Sequence, residues 1–371
     1  MDEPIADPAG ATAAPLQPPG AAPRSTGPRP LRPVFTGNAR EYFRIWIVNL
    51  FFSLVTLGVY SAWAKVRKKK YFYGSTTLDG DSFDYLGSPR AILKGRIIAA
   101  AAVIVYGFAS QLYPLSRFAF LAVAFFGFPW LIARALTFNA RNSAWHGLRF
   151  DFTASAAATT RFYLPRLILV GLTAGLAYPW FVARRHAFTL SSHAYGASRL
   201  HCEIPARKFY GIYLRALGIV IGSGFLLGGA AVLVLVGVGK TGIGLEGLNS
   251  PLVTFAIGAV VLYGGYGVAY AYIQARTNNL MWTMTTGPGV RFESTLGAWG
   301  MVRLYLGNIL AAAVSAGLLI PWGVVRALRY RLEHFAVIVE DEQVHEASPA
   351  VSRIDATGQE LGDFFNVDFG I

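Results

Sequence analysis

Ser61-Ala62-Trp63, Tyr178-Pro179-Trp180 and Ile320-Pro321-Trp322 are three short strings in one chain, and their surroundings match at fixed offsets. Counted from each Trp without gaps, an Arg stands nineteen residues earlier (Arg44, Arg161, Arg303) and a Gly five earlier (Gly58, Gly175, Gly317). Another Arg follows four later (Arg67, Arg184, Arg326), and an aromatic eight later (Tyr71, Phe188, Tyr330). A further Arg lies thirty-one before (Arg32, Arg149, Arg291). Five offsets matched in three copies, with no insertion, mark an internal threefold repeat. The pattern speaks for duplication and is silent about chemistry.

Each position has a physical reading. On a helix the Trp, the Arg four on and the aromatic four beyond share one face. Trp63, Trp180 and Trp322 therefore read as interface anchors, with a guanidinium beside them at the lipid headgroup level. Gly58, Gly175 and Gly317 read as helix breaks, and Pro179 and Pro321 suit the first turn of a new helix. The same small residues serve equally well to let helices pack closely in lipid.

Flanking pieces look like strands. Arg149-Phe150-Asp151-Phe152 matches Arg291-Phe292-Glu293, and Phe35 stands near the same place in the first copy. Tyr71 to Leu86 alternates and turns at Asp79-Gly80-Asp81, a hairpin pattern. Ala194 to Ile204 and Phe335 to Val339 supply counterparts, so a small extramembrane sheet is expected.

Between the copies lie apolar stretches: Ile97 to Leu112, Phe118 to Ala133, Leu217 to Val238 and Leu252 to Ile273. They approach the roughly 20 residues that a helix needs to cross hydrocarbon. With 54% hydrophobic and 14% charged residues and a mean hydropathy of +0.43, the chain is too apolar for a soluble domain. The fold class is thus an α-helical multi-pass integral membrane protein, with four crossings and three repeat segments that either span or re-enter. The membrane domain covers residues 33–340, with repeats at about 33–90, 149–205 and 291–340. A Pro- and Ala-rich tail (1–32) precedes it, without the apolar core of a signal peptide, and an acidic tail (341–371) follows.

The net charge of +13 belongs to the ends of the apolar segments, where basic residues meet lipid phosphates. Nucleic acid is therefore not the expected partner. If all seven apolar segments crossed, the two faces would carry 15 and 18 Lys and Arg residues, almost no bias. If the repeats dip in and return, only Arg117 and Lys240 lie outside, against 31 basic residues inside. The positive-inside rule favours the second arrangement and puts both tails in the cytoplasm. Length speaks for the first, since a helix from Arg44 to Arg67 would be about 35 Å long.

The stretch Phe35-Thr36-Gly37-Asn38-Ala39-Arg40-Glu41-Tyr42-Phe43 is followed by Asn49-Leu50 and by Thr56-Leu57-Gly58-Val59-Tyr60. Then come Trp63-Ala64-Lys65-Val66-Arg67 and Tyr71-Phe72-Tyr73-Gly74. Together these resemble the YjgN-like family of bacterial inner-membrane proteins, a domain of unknown function, over about residues 33 to 340. The resemblance implies a bacterial inner membrane and a multi-pass fold, and supplies no substrate, cofactor or catalytic residue. The copies differ at one place: Arg166 stands where the others have Asn49 and Asn308.

No motif for nucleotide, metal or nucleophilic chemistry is present, and no carboxylate or His sits inside a span as proton-coupled transport requires. His193, His201 and Cys202 are close in sequence but lack a fourth metal ligand, and read as loop or sheet residues. Neither an enzyme nor a cofactor is expected. Arg44, Arg161 and Arg303 at one end of the repeats, with Arg67, Arg184 and Arg326 at the other, are the candidate contacts for an anion or lipid headgroup; all six serve equally as snorkelling anchors. Lys65-Val66-Arg67-Lys68-Lys69-Lys70 adds a basic patch. Arg141, Asn142 and Trp145, with Arg276, Asn278, Asn279 and Trp282, suit either a vestibule or helix ends. Two functions follow: a permease- or channel-like protein for an anionic solute or headgroup, or a non-transporting scaffold on anionic lipids or an envelope partner. A homo-oligomer fits both.

Overall fold

The computed structural model describes residues 28–240 and 251–340. Strands β1 (Arg29–Leu31) and β2 (Val34–Phe35) lead into helices α1 (Ala39–Val55) and α2 (Ser61–Gly74). The hairpin β3 (Thr76–Leu78) and β4 (Asp81–Tyr85) precedes α3 (Pro89–Leu112) and α4 (Ser116–Arg141). Then β5 (Ser143–Trp145) and β6 (Leu148–Phe152) open onto α5 (Ala156–Leu172) and α6 (Tyr178–Ser191). After β7 (His193–Tyr195), β8 (Ser198–Arg199) and β9 (His201–Cys202) come α7 (Ala206–Lys240) and α8 (Pro251–Thr283). The chain continues through β10 (Thr285–Gly287) and β11 (Val290–Ser294) to α9 (Ala298–Val314), α10 (Ile320–Glu333) and β12 (Phe335–Val339).

The three matched segments are therefore helical hairpins, each with a 17-residue helix, a five-residue turn and a 14-residue helix. The turn is made by two residues in left-handed backbone: Leu57 and Gly58, Ala174 and Gly175, Ala316 and Gly317. The second of each pair has φ near +90°, where a Cβ is strained. A hydroxyl closes the turn. Thr56, Thr173 and Ser315 donate to the carbonyls of Phe52, Leu169 and Ala311, and accept from the N–H of Tyr60, Ala177 and Leu319. With the bonds of residues 57, 58, 59 and 61 to nearby carbonyls, and their equivalents, every turn N–H is paired inside the turn.

The turns are nonetheless apolar and bare: Leu57 is 94% exposed and Leu176 77%. In water each such side chain would forgo about 1.5–3 kcal/mol of burial. In hydrocarbon it forgoes nothing, provided the backbone brings its own partners. This turn does.

At the opposite end, the hairpins are clasped by a repeated Thr. The N–H groups of Thr36, Thr153 and Thr295 donate to the carbonyls of Ser75, Ser192 and His334 at 2.9, 2.8 and 2.9 Å. Because each helix pair returns to its starting level, the strands on either side can pair. β2 with β3, β4 with β5, β6 with β7, β9 with β10 and β11 with β12 each flank one helix pair, all antiparallel.

The pairing order is β2 to β8 in one sheet and β9-β10-β11-β12-β1 in the other. Only Arg32-Pro33 separates β1 from β2, and only Leu200 separates β8 from β9. The strands thus make a circuit that closes where Arg29–Leu31 pairs with Val337–Val339. Residues 29–31, assigned from sequence to the leading tail, are part of it; residues 1–27 and the acidic tail 341–371 lie outside the described residues. The alternation from Tyr71 becomes strand only at Thr76, because α2 runs on to Gly74.

The helices follow the same circuit. Each packs on the next in sequence, and α10 packs on α1. The largest apolar core lies near the sheets, where Ile132, Leu136, Phe152, Tyr163, Phe181, Val182 and Phe209 meet. Farther from the sheets, Val103, Phe108, Leu121 and Phe225 are exposed. Pro89–Leu112, Ser116–Arg141 and Ala206–Ala230 are long and apolar enough to cross a membrane. Among the described residues, ten helices, small sheets and these apolar spans make an α-helical membrane protein. Residues 241–250, including Glu246, lie outside the described residues.

Candidate anion-binding site

Folding back brings the two arginine sets together. Arg44, Arg161 and Arg303 each lie five residues into the outgoing helix, roughly 7.5 Å from its start at 1.5 Å per residue. Arg67, Arg184 and Arg326 each lie seven residues before the end of the returning helix, roughly 10.5 Å from the same base. Both sets therefore stand at one level rather than at opposite ends of a span.

In the third hairpin this produces a cavity of about 510 Å³. Arg303 enters from α9; Arg326 and Arg329 enter from α10, and Asn38 stands at the start of α1. Trp322, Leu304 and Val325 line its apolar side, and Glu333 is its one carboxylate among the described residues. The Arg326 guanidinium lies 5.1 Å from the Trp322 ring centroid, so one face of the cation is covered by an aromatic. Gly307 allows this pose, since a Cβ there would lie 2.7 Å from Arg326 Nη1. At the matched positions the other hairpins carry Val48 and Pro165.

The cavity sits where the ring closes. Arg329 Nη2 donates to the Gly37 carbonyl at 3.2 Å, and Val325 shares a core with Phe35 and Tyr42. A second cavity of about 310 Å³ adjoins it through Arg329 and Glu333 and is lined by Arg32, Val34 and Phe35.

The second hairpin is different. Arg166 reaches back so that its guanidinium lies 4.1 Å over Phe162 and 5.7 Å from Trp180, while Nη1 donates to the Phe162 carbonyl. Arg161 and Arg184 are exposed. In the first hairpin Arg44 and Arg67 are also exposed, and Trp63 stacks on Tyr60. All three Trp residues stand two residues into the returning helix, near the apical turn. The aromatics eight later close the base instead: Tyr71 stacks on Tyr42, and Phe188 on Phe162.

The remaining polar candidates are engaged locally. Arg141 pairs with Asp151 at 2.6 Å, Asn142 donates to the Phe138 carbonyl, and Asn279 binds both Ser294 and the backbone of Leu296. Arg276 lies over Tyr272, Trp145 stacks on Phe83 and Trp282 packs on Phe335, while Asn278 is half-buried. Lys69 of the basic patch donates to Asn139. His193 meets the Thr189 carbonyl, His201 faces Glu203, and burial pushes the Cys202 thiol up.

Sequence reading passed over two repeated hydroxyls. Thr56, Thr173 and Ser315 stand seven before each Trp, and Thr36, Thr153 and Thr295 twenty-seven before. The offset count that found the arginines contains both.

Residues 30–364 match a family described as "Bacterial protein of unknown function (DUF898)". "Inner membrane protein YjgN" of Escherichia coli O157:H7 is 28% identical over 151 residues, and that of Salmonella typhimurium (strain LT2) 29% over 142. Its Escherichia coli K12 counterpart is 26% identical over 147 residues. Each match covers 38% of this chain, and the chain spans only 36% of each relative's length. No solved structure matches.

Proposed function

Since the chain belongs to the DUF898 family of bacterial proteins, we propose that it is a multi-pass protein of the bacterial inner membrane, built from one unit used three times. In this reading α3, α4, α7 and α8 cross, and the three short hairpins dip into the bilayer and return. Both tails are cytoplasmic. The bare apolar turns with internally paired N–H groups support the dipping hairpins. So does the charge count, which leaves Arg117 and Lys240 alone on the far side. The relatives named as inner membrane proteins support the location.

Its role is permease- or channel-like, for an anionic solute or lipid headgroup. The observation that carries this is the cavity at the ring closure, lined by three arginines and, among the described residues, one carboxylate. In this reading the three arginines lie within the bilayer and face a cavity, which makes them functional-site candidates. The test is flux in reconstituted vesicles: release of an entrapped phosphate ester, and exposure of labelled headgroups on the opposite leaflet. Wild-type protein should accelerate one of the two, and Arg303→Gln and Arg326→Gln should reduce it at least tenfold. Equal rates with and without protein would refute transport and favour a scaffold on anionic lipid.

A further inference from the structure

The ring has one joint unlike the others. Every neighbouring pair of helices from α1 to α10 is linked by the chain, but α10 and α1 meet only through contacts. The arginine cavity lies in that joint, drawing residues from α9 and α10 on one side and from Asn38 and Ala39 on the other. Whatever fills it touches both sides.

The chemistry of the lining selects the occupant. Among the described residues, Arg303, Arg326 and Arg329 carry three positive charges against Glu333 alone. One carboxylate has two oxygens and is satisfied by one forked guanidinium. Three guanidiniums call for an anion with more oxygens and a tetrahedral spread, and a phosphate ester supplies them. Leu304, Val325 and Trp322 offer an apolar wall for the carbon part, and 510 Å³ lies within the usual range for a small-ligand pocket. The adjoining 310 Å³ space past Arg32 continues the groove toward the sheets.

We propose that this groove binds a phosphate ester, with the phosphate between Arg303, Arg326 and Arg329 and the carbon part against Leu304, Val325 and Trp322, and that the bound ester clamps the last hairpin to the first. The proposal rests on the reading of the cavity as an anion site. It does not require transport.

The test uses the full chain in neutral detergent. Binding and thermal midpoint are measured with glycerol 3-phosphate, with dihexanoyl phosphatidylglycerol, and with chloride at equal ionic strength. The esters should bind and raise the midpoint; chloride should do neither. Arg303→Gln and Arg326→Gln each remove a charge-assisted bond and should weaken binding at least tenfold. Gly307→Ala keeps the charge but displaces the Arg326 tip, and should weaken binding several-fold. Glu333→Gln should tighten it, so the proposal does not hang on loss of function alone. Arg44→Gln, at the matched position that lines neither cavity, should behave as wild type.

Tighter binding of the phosphatidylglycerol identifies a lipid headgroup as the source; equal or weaker binding identifies a soluble ester. Wild-type affinity in Arg303→Gln and Arg326→Gln, or chloride as effective as the esters, would overturn the site. Ester binding without flux would refute the permease reading and leave the clamp standing. Flux without ester binding would do the reverse.

Discussion

Replacing Thr173 by Val tests the hairpins at their apex. The two side chains have the same shape, but Val removes a donor bonded to the Leu169 carbonyl at 2.8 Å and an acceptor serving the Ala177 N–H at 3.1 Å. Were the turn in water, solvent would replace both, and the loss would stay within the usual net value of about 0.5–1.5 kcal/mol. In hydrocarbon no solvent is present. The Ala177 N–H then carries a desolvation cost of about 1–3 kcal/mol on top of the lost bond. The expected destabilisation is about 2–3 kcal/mol, or roughly 30- to 150-fold in the unfolding constant. Thr173→Ser keeps the oxygen and should cost less than about 1 kcal/mol. Equilibrium unfolding in bicelles, followed by tryptophan fluorescence, reads both. A Thr173→Val cost of about 1.5 kcal/mol or less, or one equal to that of Thr173→Ser, would refute the lipid-embedded turn.

Two further outcomes follow from the same structure. In a Cys202→Ser background, single cysteines from Arg90→Cys and Arg199→Cys should label from the cytoplasm and that from Arg117→Cys from outside; Arg90 and Arg199 on opposite faces would mean plain spans. His193 is held below its ordinary pKa by burial, which outweighs the Thr189 carbonyl and Asp151. Below about pH 6.5 the unfolded chain therefore binds a proton that the folded chain refuses, and stability falls as the pH drops. His193→Gln should lessen the fall of the thermal midpoint between pH 7 and 5, whereas an unchanged slope would assign the acid sensitivity elsewhere.

How much of this could be read in advance depends on the distance over which each feature is determined. The breaks at Gly58, Gly175 and Gly317 are local, because a positive φ is a property of one residue, and offset counting reaches them. The strands at Arg149–Phe152 and Phe335–Val339 announce themselves by alternation and β-branching. The convergence of Arg303 with Arg326 is not local, since two residues 23 apart in sequence lie at opposite ends of a straight helix and side by side in a folded one. The cavity depends further on Gly307, whose meaning comes only from the Arg326 side chain lying against it. The strand circuit joins Arg29 to Val339, a contact that no local pattern carries.

That last contact has a consequence for biosynthesis. The surface of α1 that receives Val325 is made about 280 residues before its partner. At 5–20 residues per second, the first hairpin waits roughly 15–60 s beside the translocon with Tyr42 and Phe35 packed on Tyr71 and Phe72 but not yet covered by Val325. The ring closes only once α10 has been made, so a nascent chain stalled before Ile320 would hold α1 to α9 without the helix that meets α1.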